Sequence, residues 1–120
     1  MGSRAFVSIE DTDVALFDNT GMKGERIVKA VKTALRENRV YWDEPLFLSA
    51  KIFLAMVAEQ KKSGEPFELG ITNWKYADAE MVVAVNCDGL NIVVSVNNAN
   101  VLFDGSFEEF VGLTDEEIGA

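Results

Sequence analysis

The sequence has no histidine and a single cysteine. These two absences remove whole classes of chemistry from the chain. A Ser-His-Asp triad, a Cys-His dyad, an imidazole proton shuttle and a histidine-ligated metal all need a residue it does not contain. One cysteine makes neither an intrachain disulfide nor a cysteine-rich zinc site. A membrane-spanning run is also missing. The longest apolar stretch, Leu46 to Ala58, is interrupted by Ser49 and Lys51 and falls short of the roughly 20 residues a span needs. The opening Met1-Gly2-Ser3-Arg4-Ala5-Phe6 lacks the apolar core of a secretory signal. Phe6 stands where myristoylation requires Ser or Thr, and no Asn-x-Ser/Thr acceptor occurs. A cytoplasmic protein with no membrane contact is the expectation. Basic residues are scarce in one half: after Lys75 there is no Lys or Arg.

What is present fits one globular domain spanning residues 1–120: 120 residues, 48% of them hydrophobic, with a formal net charge of −9. The charge is unevenly spread. Residues 1–60 carry nine acids against eight bases, and residues 61–120 carry eleven acids against three. A chain of this balance repels nucleic acid and anionic membrane and attracts basic partners.

The pattern along the chain alternates between two periods. Arg4 to Glu10 and Val14 to Phe17 read as strands of a hairpin around Asp11-Thr12-Asp13. From Lys23 to Asn38 the period is helical, with Ile27, Val28, Val31, Ala34 and Leu35 on one face. Arg26, Lys29, Lys32, Arg36 and Arg39 line up on the other as a basic stripe. A second helix is expected from Asp43, as N-cap, to Lys62, with Pro45 in its first turn and Ser63-Gly64 as its stop. It is apolar nearly all round, which suits a central helix or a subunit interface. Phe67 to Thr72 reads as a short strand. Met81 to Cys87 and Leu90 to Val96 flank Asp88-Gly89, read as a two-residue type I′ hairpin that pairs Val85 with Ile92, Val83 with Val94 and Met81 with Val96. Val101 to Phe103 reads as a further strand and Asp104-Gly105 as a turn. Ser106-Phe107-Glu108-Glu109 is a capping-box start for a short helix. Segregated strands and helices imply an α+β fold. The expected sheet is antiparallel, built from the N-terminal hairpin, the C-terminal hairpin and flanking strands, and covered on one face by two helices.

Candidate chemistry is thin. Glu10, Asp11, Asp13 and Asp18 are the acids that a carboxylate- or metal-dependent enzyme would use, yet Asp11-Thr12-Asp13 lacks the glycine and terminal glutamate of a calcium loop. Gly21-Met22-Lys23-Gly24 precedes a helix but matches neither phosphate-loop pattern. Cys87 falls on the apolar hairpin face with no cation beside it in sequence. No catalytic, metal or cofactor residue is assigned.

The leading expectation is a small acidic, non-catalytic protein-binding module, of the general character of inhibitors and immunity-type proteins borne by phages or bacterial toxin systems. Its acidic face would dock on a basic surface of a larger protein. Trp74 and Tyr76, as aromatic anchors, with Asp78, Glu80, Asp104, Glu108 and Glu109, are the candidate contact residues. The basic stripe is a second candidate contact, for an acidic surface more than for nucleic acid, because no nucleic-acid motif accompanies it. The alternatives are a homo-oligomeric assembly subunit and, behind that, a small carboxylate- or metal-dependent enzyme.

Overall fold

The computed structural model describes residues 5–18, 25–64, 68–73, 79–97 and 100–114. The chain runs β1 (Ala5–Ile9), β2 (Ala15–Asp18), α1 (Glu25–Glu37), a 3-10 turn (Arg39–Tyr41), α2 (Pro45–Ser63), β3 (Leu69–Thr72), β4 (Met81–Asn86), β5 (Asn91–Val96), β6 (Asn100–Ser106) and α3 (Phe107–Val111). Together these form one α+β domain. Its Cα radius of gyration of 12.8 Å is close to the roughly 13–14 Å expected of a compact chain this long.

The six strands make one sheet in the order β3-β2-β1-β4-β5-β6. All neighbours pair antiparallel except β1 and β4, which run parallel, with Ala5 opposite Met81 and Ile9 opposite Val85. The sheet is therefore mixed, and the purely antiparallel expectation is corrected. The cause is a crossover: β3, antiparallel to β2, runs in the direction of β1, and β4 keeps that direction on the far side of β1 instead of turning back beside β3. Pairing β1 with β2 leaves two open edges; β3 takes the edge of β2, and the β4–β6 meander adds to the edge of β1.

The β4–β5 register is the one the alternation predicts: Val85 faces Ile92, Val83 faces Val94 and Met81 faces Val96. The turn is different. Asn86 and Asn91 are the last ladder pair, so four residues, Cys87 to Leu90, make the connection. The positive φ falls on Leu90 (52°), not on Asp88 or Gly89, so it is not a type I′ turn. Side chains hold it instead. The Gly89 N–H donates to Asn86 Oδ1 (3.0 Å), and the Asp88 N–H donates to Asp11 Oδ2 (2.9 Å).

β6 also corrects the sequence reading, because it runs straight through Asp104-Gly105. Any side chain at Gly105 would press on the ends of two neighbours. A Cβ would stand 2.7 Å from Glu109 Oε1 and 2.9 Å from the Phe103 ring. α2 starts at Pro45 with Glu44, not Asp43, as its N-cap; proline suits the first helical position and keeps the residue before it extended. Gly64 ends α2 in the left-handed region (φ 72°).

The main core joins Val7, Ile9 and Leu16 of the N-terminal hairpin, and Val83, Val85, Ile92 and Val94 of the C-terminal one, to α1, α2, Phe107 and Phe110. The alternate strand residues Phe6 and Ala15 form a smaller cluster with Ala79, and the Phe6 and Phe17 rings lie 5.8 Å apart. Among the described residues no helix is long and apolar enough to cross a membrane.

Candidate interaction surface

Of the seven large apolar side chains exposed among the described residues, three lie on α2 and a fourth, Val40, in the turn before it; the others are Ile71 and Val101 on the sheet and Leu90 in its β4–β5 turn. The inward side of α2 is defined by Leu48, Ile52, Met56 and Gln60, all buried and spaced by four as one helical face requires. Ser49 also points inward, its hydroxyl donating to Leu46 O at 2.8 Å, so a polar residue lies on the buried side. The outward side keeps Leu46 66%, Phe47 59% and Leu54 61% exposed, beside exposed Ala50 and Ala58. The 3-10 turn extends this surface. Val40 is exposed, and the Tyr41 ring lies 5.6 Å from that of Phe47, with Lys51 Nζ 5.5 Å from the Tyr41 centroid. Large apolar side chains gathered on one side of a surface helix form a patch of the kind that marks contact sites on soluble proteins.

The 3-10 turn is pinned from behind. Trp42 donates its Nε1–H to Leu35 O (2.8 Å) and meets Phe107 edge-on, with centroids 5.2 Å apart. The Arg39 guanidinium sits over the Trp42 ring at 4.8 Å and forms an ion pair with Glu108. The surface next to Phe47 is thus held rigid by contacts from α1 and α3.

The described acidic candidates come from three different parts of the fold. Glu80 precedes β4, and Asp104 lies on the edge strand β6; both are exposed. Glu108 is turned to Arg39. Glu109 closes the α3 capping box: its N–H donates to Ser106 Oγ (3.0 Å), and its Oε1 accepts from the Ser106 N–H (2.8 Å). The Ser106 backbone N–H and then its hydroxyl, both facing the carboxylate, hold it below the usual glutamate range. Trp74, Tyr76 and Asp78 lie outside the described residues.

The basic stripe is broken in the middle. Lys29 and Arg36 are exposed and Arg26 is half-buried, but Lys32 is only 4% exposed and donates its Nζ to Leu113 O at 2.8 Å. Arg39 lies beyond the end of α1, in the 3-10 turn. Lys32 is a tie between α1 and the turn after α3 rather than part of a contact face.

The acids considered for catalysis are engaged separately. Glu10 accepts from Ser8 Oγ (2.5 Å), Asp11 holds the β4–β5 turn, Asp13 is exposed and Asp18 is buried in β2. Among the described residues no three His, Cys, Asp or Glu side chains gather as metal ligands. Burial, reinforced by the neighbouring Asp11 carboxylate, pushes the Cys87 thiol up to about 11, which keeps it protonated at neutral pH.

No family model, curated protein or solved structure matches this chain. The outward face of α2 is the feature that sequence reasoning left undecided. A signal for it exists in the spacing of Phe47, Ala50, Leu54 and Val57, three and four residues apart.

Proposed function

We propose that this chain is a non-catalytic protein-binding module whose contact surface is the outward side of α2 with the adjoining 3-10 turn. In this reading the helices lie on one face of the sheet, and α2 presents its far side to a partner. The observation that carries it is the exposure of Leu46, Phe47 and Leu54 on a helix whose opposite side, Leu48, Ile52 and Met56, already anchors the core. These outward side chains add little to the isolated fold, and burying them against a partner removes their remaining apolar area from water. The rigid backing of Arg39, Trp42 and Phe107 lowers the ordering cost of such a contact. The remaining chemistry is consistent with this: no imidazole is present, and the one thiol is held protonated.

The test is site-specific photocrosslinking in cells. A benzophenone side chain placed at Phe47 or Leu54 is expected to give discrete adducts, and one at Asp104 to give far fewer. Equal, low yields at all three positions would reject the assignment.

A second reading keeps the acidic flank as the docking face of an inhibitor or immunity-type protein. Its support is the exposure of Glu80 and Asp104 in a half-chain with no base after Lys75. Glu80→Lys with Asp104→Lys would then weaken partner binding, and the weakening would shrink as salt is raised.

A further inference from the structure

The outward residues of α2 are patterned more strictly than an apolar patch needs. Phe47, Ala50, Leu54, Val57 and Lys61 follow one another at intervals of three, four, three and four, the seam rhythm of a two-helix coiled coil. Phe47, Ala50, Leu54 and Lys61 are exposed and Val57 is half-buried, so the seam looks away from the chain's own core.

We infer that a second copy of this chain closes the seam, with α2 packing antiparallel on α2 across a two-fold axis at the level of Ile52. The inference rests on the reading of this face as a protein contact surface and adds the identity of the partner.

Self-complementarity carries it. In an antiparallel pair centred at Ile52, Phe47 lies opposite Val57 of the partner subunit and Leu54 opposite Ala50 of the partner subunit. Leu46 lies opposite Ala58 of the partner subunit. Large thus meets small along the contact, and each contact occurs twice, as a two-fold interface requires.

The charges at the two ends agree with the same register. Asp43 and Glu44, both exposed, stand before the helix, and Lys61 and Lys62, both exposed, stand in its last turn. Lys62 already leans on Glu59 (3.4 Å), which leaves Lys61 as the residue for the end contact. An antiparallel pair brings the acidic entry to α2, Asp43 and Glu44, to the end that carries Lys61 of the partner subunit, twice over, and opposes the helix dipoles favourably. A parallel pair would set acid on acid and lysine on lysine.

Sedimentation equilibrium of the full chain tests this directly. The unmodified protein is expected to approach twice its 13.2 kDa monomer mass as concentration rises. Leu54→Glu, on an exposed position, is expected to weaken association by about 100-fold, in line with a charge forced into a packed seam, and to leave the far-ultraviolet circular dichroism unchanged. Asp43→Lys and Lys61→Asp should each weaken association by about tenfold. Mixed in equal amounts, these two variants should associate about as well as the unmodified protein, because each end of the mixed dimer again pairs opposite charges. A monomer at every concentration overturns the inference. Failure of the mixture to recover, with Leu54→Glu still dissociating the dimer, overturns the antiparallel register. The benzophenone adduct at Leu54 separates the two levels of the argument. An adduct of twice the chain mass supports the second copy. An adduct of any other mass overturns the second copy while the contact surface stands, and no adduct overturns both.

Discussion

Two positions on α2, one turn-half apart, provide the sharpest check on how this helix is oriented. Ile52 is fully buried and Leu54 is 61% exposed, yet both are branched aliphatic residues in the same apolar run. Replacing Ile52 with Ala removes three carbons from the core. At about 0.8 kcal/mol per buried methylene that is roughly 2.4 kcal/mol of transfer free energy, and the cavity left behind brings the cost to about 3–4 kcal/mol. Leu54→Ala removes the same three carbons from a side chain about two-fifths buried, and solvent fills the space. Its cost is at most about 1 kcal/mol by the same area argument, partly offset by alanine's slightly better helix propensity. The two variants should therefore differ by about 2–3 kcal/mol, a large fraction of the roughly 5–15 kcal/mol that holds a domain folded. Urea titration followed by tryptophan fluorescence reads this difference, since Trp42 is packed against Phe107. With a slope near 1–1.5 kcal/mol per molar, the midpoints should lie roughly 2 M apart, measured at a concentration low enough to keep the chain monomeric. Equal midpoints, or a lower one for Leu54→Ala, would mean that the helix is turned the other way and that no apolar face is offered.

Lys32→Met keeps the aliphatic stem but takes the donor from Leu113 O; a loss of about 1–3 kcal/mol is expected, with faster amide exchange after α3, and a change within about 0.5 kcal/mol would deny the tie its role. The Glu109 carboxyl, held down by the Ser106 backbone N–H and hydroxyl, should titrate by nuclear magnetic resonance below the ordinary value of about 4.3. The sign follows from the lowered folded value: its contribution to α3 is complete above the unfolded pKa and is lost as pH falls through the folded one, so a midpoint at or above the ordinary value contradicts the capping box. Cys87, raised to about 11, should resist thiol reagents near neutral pH until the protein is unfolded. Because the unfolded thiol ionises first as pH rises, stability should also decline in alkali, and Cys87→Ser should flatten that decline; rapid labelling of the folded chain would refute the assignment.

The parts of the fold legible in the sequence are those fixed by local chemistry. Two alternating strands of equal phase, Met81–Asn86 and Asn91–Val96, set their own register, because a slip by one residue would turn Val83, Val85, Ile92 and Val94 away from the core. The capping box at Ser106 was equally plain. Strand direction was not, because the residues of β1 do not encode whether β4 runs with it or against it. Burial of Ala5, Phe6, Val7, Ser8 and Ile9 alike marks a central strand covered on both faces and leaves the direction of each neighbour open. Asp104-Gly105 carries a turn signature, but the ladder to Val93 and Ile92 runs through it, and the change of direction waits for Ser106. The orientation of α2 was the hardest part to read. With Ser49 facing inward and Leu46, Phe47 and Leu54 facing outward, composition alone does not say which side of α2 is the core. Of the acidic residues proposed as contacts, Glu108 and Glu109 are both exposed, but Glu108 also pairs with Arg39 and Glu109 closes the capping box that the Ser106 pattern already indicated.

Salt separates a self-associating protein from an acidic docking module, because the two respond with opposite sign. Two copies each carry a net charge of −9 and are 27–35 Å across. At a separation of about 28 Å the unscreened repulsion in water is about 12 kcal/mol by Coulomb's law. A Debye length near 30 Å at 0.01 M salt leaves roughly 5 kcal/mol of this, and one near 8 Å at 0.15 M leaves about 0.4 kcal/mol. The end contacts between Asp43 and Lys61 of the partner subunit are exposed pairs worth about 0.2–1 kcal/mol each, too little to reverse the trend. Association through α2 should therefore strengthen steeply between 0.01 and 0.15 M salt as the repulsion is screened, and then level off. An acidic flank seated on a basic partner should weaken over the same range. Sedimentation of the purified chain in a salt series reads the first response without any other protein present. Dimerisation that is strongest at the lowest salt would show that opposite charges, not the apolar seam, bring the copies together.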